Sequence, residues 1–118
     1  TFGEKIKEQK RVFTTNAEQL KAELLFNSCI AHPTVMIRKS VLQKYNLKYN
    51  TEFAGAEDYC LWWNIAKVSK IATLPDILLD YRIHESQITK KKDVQYYNMM
   101  DSLMEIRFKD IGYIGTKE

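Results

Sequence analysis

The chain has 118 residues, enough for one modest domain and hardly for two. Its 45% apolar content supports a packed core, and a formal net charge of +3 is too mild to indicate nucleic-acid binding. The two cysteines lack metal-binding or redox spacing, no apolar run is long enough to cross a membrane, and no signal-peptide pattern opens the sequence. We therefore expect a reducing, cytoplasmic setting.

Hydrophobic periodicity and turn residues predict helices and strands in mixed order. In chain order the predicted elements are a helix over 15–26, a strand over 33–38, a helix over 40–44, a loop over 47–55, a helix over 57–68, strands over 70–74 and 77–84, and a helix over 92–110. Thr15 and Glu18 have the spacing of a capping box, and Pro33 begins its strand, where a missing N–H is tolerated. The fold class predicted is α/β.

The two longest predicted helices each carry apolar residues at helical spacing. In the 57–68 helix the residues expected on the buried side are Leu61, Trp62, Ile65 and Ala66. In the last helix the corresponding residues are Val94, Tyr97, Met104 and Phe108. This pattern favours core packing over a cofactor site.

Two adjacent acids, Glu57 and Asp58, open the 57–68 helix. Backbone N–H groups at a helix N-terminus favour carboxylates. A carboxylate held on a rigid element beside a cavity is what base-assisted chemistry needs. Acids in a first helical turn are also ordinary start signals, so this segment alone leaves both interpretations open.

Three further residues are candidates for a site. His32 could bind a substrate or simply cap its strand, and Arg82 could serve a site or pair with Asp80 or Glu85 on the surface. The alternation of the 77–84 strand places Arg82 and His84 on one face. The sequence contains no zinc-site pattern, glycine-rich phosphate loop or nucleophile elbow. A carboxylate base with cationic or imidazole groups suits transfer from a phosphorylated donor.

Three sequence blocks in a fixed order resemble the C-terminal part of bacterial family 2 glycosyltransferases. They are IAHPTVMIRK at 30–39, AEDYCLW at 56–62 and YRIHESQIT at 81–89, with the family-like KIATLP at 70–75 before the last block. The resemblance covers residues 18–90. It implies a GT-A fold with a mixed sheet and flanking helices, an inverting mechanism, a nucleotide-diphosphate sugar donor and a divalent metal, Mg or Mn.

The resemblance also assigns roles to individual residues. Glu57 and Asp58 match the acidic pair of the family, in which the second acid, here Asp58, is the general base. His84 matches a histidine that approaches the metal or the diphosphate. Arg82 would contact the diphosphate, and His32 is expected to bind substrate.

The remaining carried-over residue is Trp62, which matches an aromatic position at the acceptor pocket. It would either shape that pocket or pack beneath it. Since Trp is mostly buried in proteins, packing is the stronger expectation.

One departure from the family limits what the chain can do. The nucleotide-binding N-terminal half is missing and no Asp-x-Asp occurs, so residues 1–118 look like an acceptor-side fragment. We expect the fragment alone to be inactive, to bind no metal, and to self-associate through surface that the missing half would cover.

The resemblance also implies partners for the parent protein. They are a nucleotide-sugar donor and a glycan or lipid-linked acceptor, with no nucleic acid and with peripheral association at the inner face of the plasma membrane as an alternative to a purely cytoplasmic location. The alternative function is a non-catalytic interaction module that retains the fold.

Overall fold

The computed structural model describes residues 14–82 and 93–113. Within these ranges the chain forms four α-helices and two 3₁₀ helices. They are α1 (Ala17–Glu23), a 3₁₀ helix (His32–Thr34), α2 (Lys39–Lys44), a second 3₁₀ helix (Thr51–Phe53), α3 (Glu57–Val68) and α4 (Val94–Asp110). No helix in these two ranges combines the length and the apolar character needed to cross a bilayer.

The predicted α/β fold with a partial GT-A sheet is wrong for the described residues, which contain no β-strand. The predicted strand over 33–38 begins inside a 3₁₀ helix instead. Pro33 fits a first helical turn because its φ is fixed and its missing N–H needs no partner there. The Thr34 hydroxyl then donates to the Ala31 carbonyl at 2.7 Å. Val35 is extended (φ −81°, ψ 141°), but an extended backbone becomes a strand only beside a hydrogen-bonding neighbour.

The strands predicted over 70–74 and 77–84 are also absent as far as the structure describes them, which is to residue 82. Leu78 and Leu79 should lie on opposite faces of a strand, yet they are 72% and 43% exposed. Alternation sorts side chains only when a sheet has one covered face. Ile71 and Thr73 are half-buried, but residues 74–82 are exposed on both sides. The segment follows the surface, where the Thr73 hydroxyl donates to the Thr14 carbonyl.

The N-cap of helix α1 lies one residue later than predicted. Asn16 is the N-cap, and its Oδ1 accepts from the backbone N–H of Gln19 at 2.9 Å. Asn ranks with the best N-cap residues, so it displaces Thr15 from that role. Leu20 and Leu24 of this segment are fully buried.

Helix α3 lies at the centre of the core. Its buried residues are Tyr59, Leu61, Trp62, Trp63, Ile65 and Ala66, which confirms the four predicted for its inner side. A helix that is apolar around most of its circumference must be surrounded by other elements. Here the surroundings come from α1, from Cys29 and from Leu103 of α4.

Helix α4 presents a different side to the core from the one predicted. Of the four residues predicted, Val94 and Tyr97 are 74% and 58% exposed, and Met104 and Phe108 are half-buried. The buried residues are Leu103 and Arg107 instead. Apolar residues occur on several sides of this helix, so its sequence leaves the rotation undecided. Contacts with α3 determine which side of α4 faces the core.

One such contact joins Asp110 of α4 to two side chains of α3. Asp110 Oδ2 accepts from Trp63 Nε1 and from Lys67 Nζ, both at 2.8 Å. Desolvation raises the pKa of Asp110, but the Lys67 and Trp63 hydrogen bonds and the Lys67 charge outweigh it and leave that pKa lowered.

Two backbone carbonyls just after the end of α1 accept hydrogen bonds from side chains of α3 and α4. The Tyr59 hydroxyl donates to the Leu24 carbonyl at 2.8 Å, and Arg107 Nε donates to the Leu25 carbonyl at 3.0 Å. Burial raises the pKa of Tyr59 to about 12, although the Arg107 charge opposes this. These bonds supply donors to two carbonyls in the turn after α1, while the carbonyls of Ala22 and Glu23 in the helix itself are bound by backbone N–H groups of residues 25–27.

Candidate functional site

Asp58 lies in the first turn of α3. Its Oδ1 accepts a hydrogen bond from the backbone N–H of Tyr59 at 2.8 Å, and its side chain is 26% exposed. The N-terminal turn of a helix stabilises a carboxylate through its free N–H groups and dipole. The local sequence thus holds this carboxylate in one place at the protein surface.

Glu57 turns toward the backbone instead. Its Oε2 accepts from the N–H of Gly55 at 2.5 Å. Gly55 has φ +92°, a conformation that residues with a Cβ rarely adopt, and this turn directs the chain into α3. Glu57 therefore closes the loop before α3, while Asp58 is the acid that meets a neighbouring side chain.

That neighbour is His32, at the first position of the first 3₁₀ helix. Its Nδ1 lies 3.8 Å from Asp58 Oδ2, and its Nε2 lies 2.9 Å from the hydroxyl of Tyr49. The His32 side chain is 45% exposed. An acid, an imidazole and a phenol from three separate segments thus meet at one surface.

Trp62 lies beneath this group. Its ring meets the His32 ring edge to face, with 5.6 Å between centroids and 73° between planes. Trp62 is only 2% exposed, and its indole N–H has no hydrogen-bond acceptor in the described part of the chain. Trp62 supports the His32 ring from below. Of the two roles expected for it, lining a pocket or packing beneath one, this position corresponds to packing. We call Tyr49, His32, Asp58 and Trp62 the acid–imidazole cluster.

Tyr49 is the member of the cluster that sequence reasoning missed. It is 47% exposed, and its ring centroid lies 5.6 Å from that of His32. It stands in the 47–55 loop, before Asn50, whose side chain caps the second 3₁₀ helix. The only available signal was an aromatic residue in a loop close to the acidic pair.

The other two predicted site residues are not part of this cluster as described. Arg82 is exposed at the last residue of the 14–82 range. His84 lies outside the described residues. The roles predicted for both stay predictions.

The described residues do not fit a metal site. They include no group of three His, Cys, Asp or Glu side chains that could hold an ion. His32 and Asp58 supply two, whereas Mg²⁺ prefers near-octahedral oxygen coordination.

A cavity of about 250 Å³ lies at the opposite end of α3 from Asp58. Residues of α1 and of the 66–71 segment line it, including Lys21, Lys67 and Lys70. None of the predicted site residues is among them. The cavity and the acid–imidazole cluster are therefore separate features.

Two curated proteins are similar to this chain. An "uncharacterized glycosyltransferase" of Haemophilus influenzae is 27% identical over 94 residues, and the match covers 80% of this chain and 28% of that protein. The O-antigen biosynthesis glycosyltransferase WbnJ of Escherichia coli is 38% identical over 98 residues, covering 80% of this chain and 36% of that protein. The chain therefore spans about a third of the length of these relatives.

The other two comparisons found nothing. No protein-family model matches the chain, and no solved structure matches it. What the comparisons establish is a sequence relationship between four-fifths of this chain and parts of two proteins named glycosyltransferases.

Proposed function

We propose that this chain forms the acceptor-side part of an inverting family 2 glycosyltransferase. The enzyme would transfer a sugar from a nucleotide-diphosphate donor to a glycan or lipid-linked acceptor of a cell-surface polysaccharide. The observation that carries the proposal is the Asp58 carboxylate, fixed at the start of α3 with His32 Nδ1 3.8 Å away. The similarity to two proteins named glycosyltransferases, one of them named for O-antigen biosynthesis, supports the substrate class.

In the proposed reaction Asp58 is the general base. Its Oδ2 takes the proton of the acceptor hydroxyl as that oxygen attacks the anomeric carbon of the donor. The bond from this carbon to the diphosphate oxygen breaks, and the electron pair leaves with the diphosphate. Because attack and departure occur on opposite sides of the carbon, its configuration inverts.

The neighbouring residues have supporting roles in this proposal. Glu57 holds the turn that sets the position of Asp58, through its bond to the Gly55 N–H. His32 contacts the acceptor, and Trp62 fixes the His32 ring from beneath. Arg82 is assigned to the diphosphate on the strength of the family resemblance.

Donor binding is assigned to residues beyond those described. The relatives are about three times longer than the segment they share with this chain. The divalent metal that the family resemblance implies would be held by such residues, and no step assigned to Asp58 or His32 depends on it.

A chimera tests the proposal. The segment of WbnJ that matches this chain is replaced by this chain, and the chimera is expressed in an E. coli strain that lacks WbnJ. We expect it to restore O-antigen, measured as the lipopolysaccharide ladder on a gel, and Asp58→Asn in the chimera to abolish that ladder. The matched control is Asp101→Asn, the same change at an exposed position of α4, which should leave the ladder intact.

A result in which Asp58→Asn and the unchanged chimera restore O-antigen equally would remove the base role. It would favour the alternative, a non-catalytic interaction module. Exposed apolar side chains support that alternative to the extent that they offer a contact surface: Met36 is 99% exposed, and Leu74 and Leu78 are more than 70% exposed.

A further inference from the structure

The two ring nitrogens of His32 face different partners. Nε2 lies 2.9 Å from the Tyr49 hydroxyl, and Nδ1 lies 3.8 Å from Asp58 Oδ2. A neutral imidazole has one N–H, so one nitrogen donates and the other accepts. A carboxylate only accepts, whereas a tyrosine hydroxyl does either. The partners therefore decide which nitrogen carries the proton.

Only one of the two tautomers of His32 suits both partners. With the proton on Nδ1, the N–H dipole points toward the Asp58 carboxylate, and Nε2 accepts from the Tyr49 hydroxyl. With the proton on Nε2, the lone pair of Nδ1 would face the carboxylate, which is electrostatically unfavourable. Neutral imidazole in water prefers the Nε2–H form, so the protein contacts must reverse that preference.

We infer that Tyr49 is a positioning residue: with Nδ1–H facing Asp58, its hydroxyl donates to Nε2 and adds to the preference of His32 for the Nδ1–H tautomer. The tautomer follows from the geometry alone, whereas its use in transfer rests on the proposed function. A carboxylate or carbonyl that faces one nitrogen of a histidine is a familiar way to fix its tautomer, and here a phenol adds to that effect at the other nitrogen.

The separation between Nδ1 and Oδ2 lets one acceptor hydroxyl, placed to the side of the two atoms, reach both of them. At 3.8 Å the two atoms are too far apart for a direct hydrogen bond. A sugar hydroxyl placed beside them can accept from Nδ1–H while its own proton passes to Oδ2. The hydroxyl proton moves to Asp58, and the proton on Nδ1 stays on His32.

The exposure of the cluster agrees with substrate access. Tyr49, His32 and Asp58 all reach the surface, whereas Trp62 beneath them is 2% exposed. A purely structural hydrogen bond would need no such access. The ligand class that this arrangement fits is a saccharide presenting a free hydroxyl.

The tautomer is measured on the ¹⁵N-labelled chain by long-range ¹H–¹⁵N correlation in mildly alkaline buffer, where a histidine is neutral. The chain has two histidines, so the spectrum of His32→Gln assigns the signals. In the unchanged chain we expect His32 to have a protonated Nδ1 and an unprotonated Nε2. In Tyr49→Phe we expect a shift toward the Nε2–H form.

Tyr45→Phe is the matched control. Tyr45 is 41% exposed, close to the 47% of Tyr49, and its hydroxyl makes no hydrogen bond within the described ranges. This variant should keep the tautomer of the unchanged chain. An Nε2–H form in the unchanged chain, or a proportion of the Nδ1–H form that is the same in Tyr49→Phe as in the unchanged chain, would overturn the inference.

The catalytic consequence is measured in the WbnJ chimera. Tyr49→Phe should lower kcat roughly three- to tenfold, the span expected from one lost hydrogen bond, with the KM for the donor unchanged. An unaltered kcat alongside a changed tautomer would overturn the positioning role in transfer. If Asp58→Asn also leaves transfer unchanged, the proposed function fails, and the NMR result still decides the tautomer.

Discussion

The guanidinium of Arg107 lies over the ring of Tyr59, with 4.2 Å between Cζ and the ring centroid. Arg107 is 1% exposed, and in the described part of the chain its Nη1 and Nη2 have no hydrogen-bond acceptor. Desolvation lowers the pKa of Arg107, although Tyr59 and Cys60 oppose it. The ring and the Leu25 carbonyl thus stabilise a buried cation that has no carboxylate beside it among the residues that the structure describes.

Two substitutions at Arg107 should separate its volume from its charge. Arg107→Met keeps much of the side-chain volume and removes the poorly compensated charge, so the free energy of unfolding should change by less than about 1 kcal/mol. Arg107→Ala leaves a cavity and should cost about 2–4 kcal/mol. Urea denaturation followed by circular dichroism measures both. Equal losses in the two variants would mean that the bond to the Leu25 carbonyl and the Tyr59 contact dominate.

Trp62 and Trp63 offer a matched pair for the value of one hydrogen bond. Both are at most 3% exposed. The indole N–H of Trp63 has an acceptor in Asp110 Oδ2, whereas that of Trp62 has none within residues 14–82 and 93–113. Replacing each by Phe removes the same volume. Trp63→Phe should therefore destabilise the protein by about 1 kcal/mol more than Trp62→Phe. Equal losses of unfolding free energy would show that the bond to Asp110 contributes nothing net.

Asp110 should make stability depend on pH at the acidic end. Its pKa in the folded protein is lowered, so its contribution is fully present above the ordinary aspartate value and is lost as pH falls through the folded pKa. Asp110→Asn should be least stable relative to the unchanged chain near neutral pH. The gap should shrink below about pH 4. Thermal melts of both proteins across this range measure it, with Asp101→Asn as the control.

Asp58→Asn tests the base in kinetic terms. Asn keeps the size of the side chain but cannot take a proton, so in an active enzyme carrying this segment kcat should fall by about 10²–10⁴-fold with little change in donor affinity. Steady-state rates with varied donor measure both quantities. A wild-type kcat would return the acidic pair to the role of a helix-start signal.

Glu57→Gln should be much milder than Asp58→Asn. The Gln side-chain oxygen still accepts from the Gly55 N–H, so the turn into α3 persists. The expected loss in kcat is below about tenfold, as for one weakened hydrogen bond. A loss as large as that of Asp58→Asn would mean that Glu57 acts in the chemistry itself.

Local sequence signals predicted the helices well where the apolar pattern was strong. Helix α3 has the predicted bounds and the predicted buried residues, because a dense apolar stripe and an acidic first turn act together. The prediction of which side of α4 faces the core was wrong. One of the buried positions of this helix holds Arg107, an arginine whose aliphatic stem and contact with the Tyr59 ring take the place of an apolar side chain.

The strand predictions were wrong for the described residues because strand formation is not a local property. Residues such as Val35 are extended as their β-branched character favours, yet a ladder requires a partner that no short sequence pattern specifies. The same limit applies to the site. His32 and Asp58 were each identifiable, whereas the Tyr49 hydroxyl beside His32 depends on how a loop returns to the first 3₁₀ helix.

The side-chain bonds to the Leu24 and Leu25 carbonyls tie the turn after α1 to two distant helices. The helix has seven residues, too few to be stable alone in water. The side chains that bind these two carbonyls are 35 and 82 positions further along the chain. We therefore expect α1 to become ordered with the docking of α3 and α4 and not before it, and to be among the first parts to open when that docking is weakened.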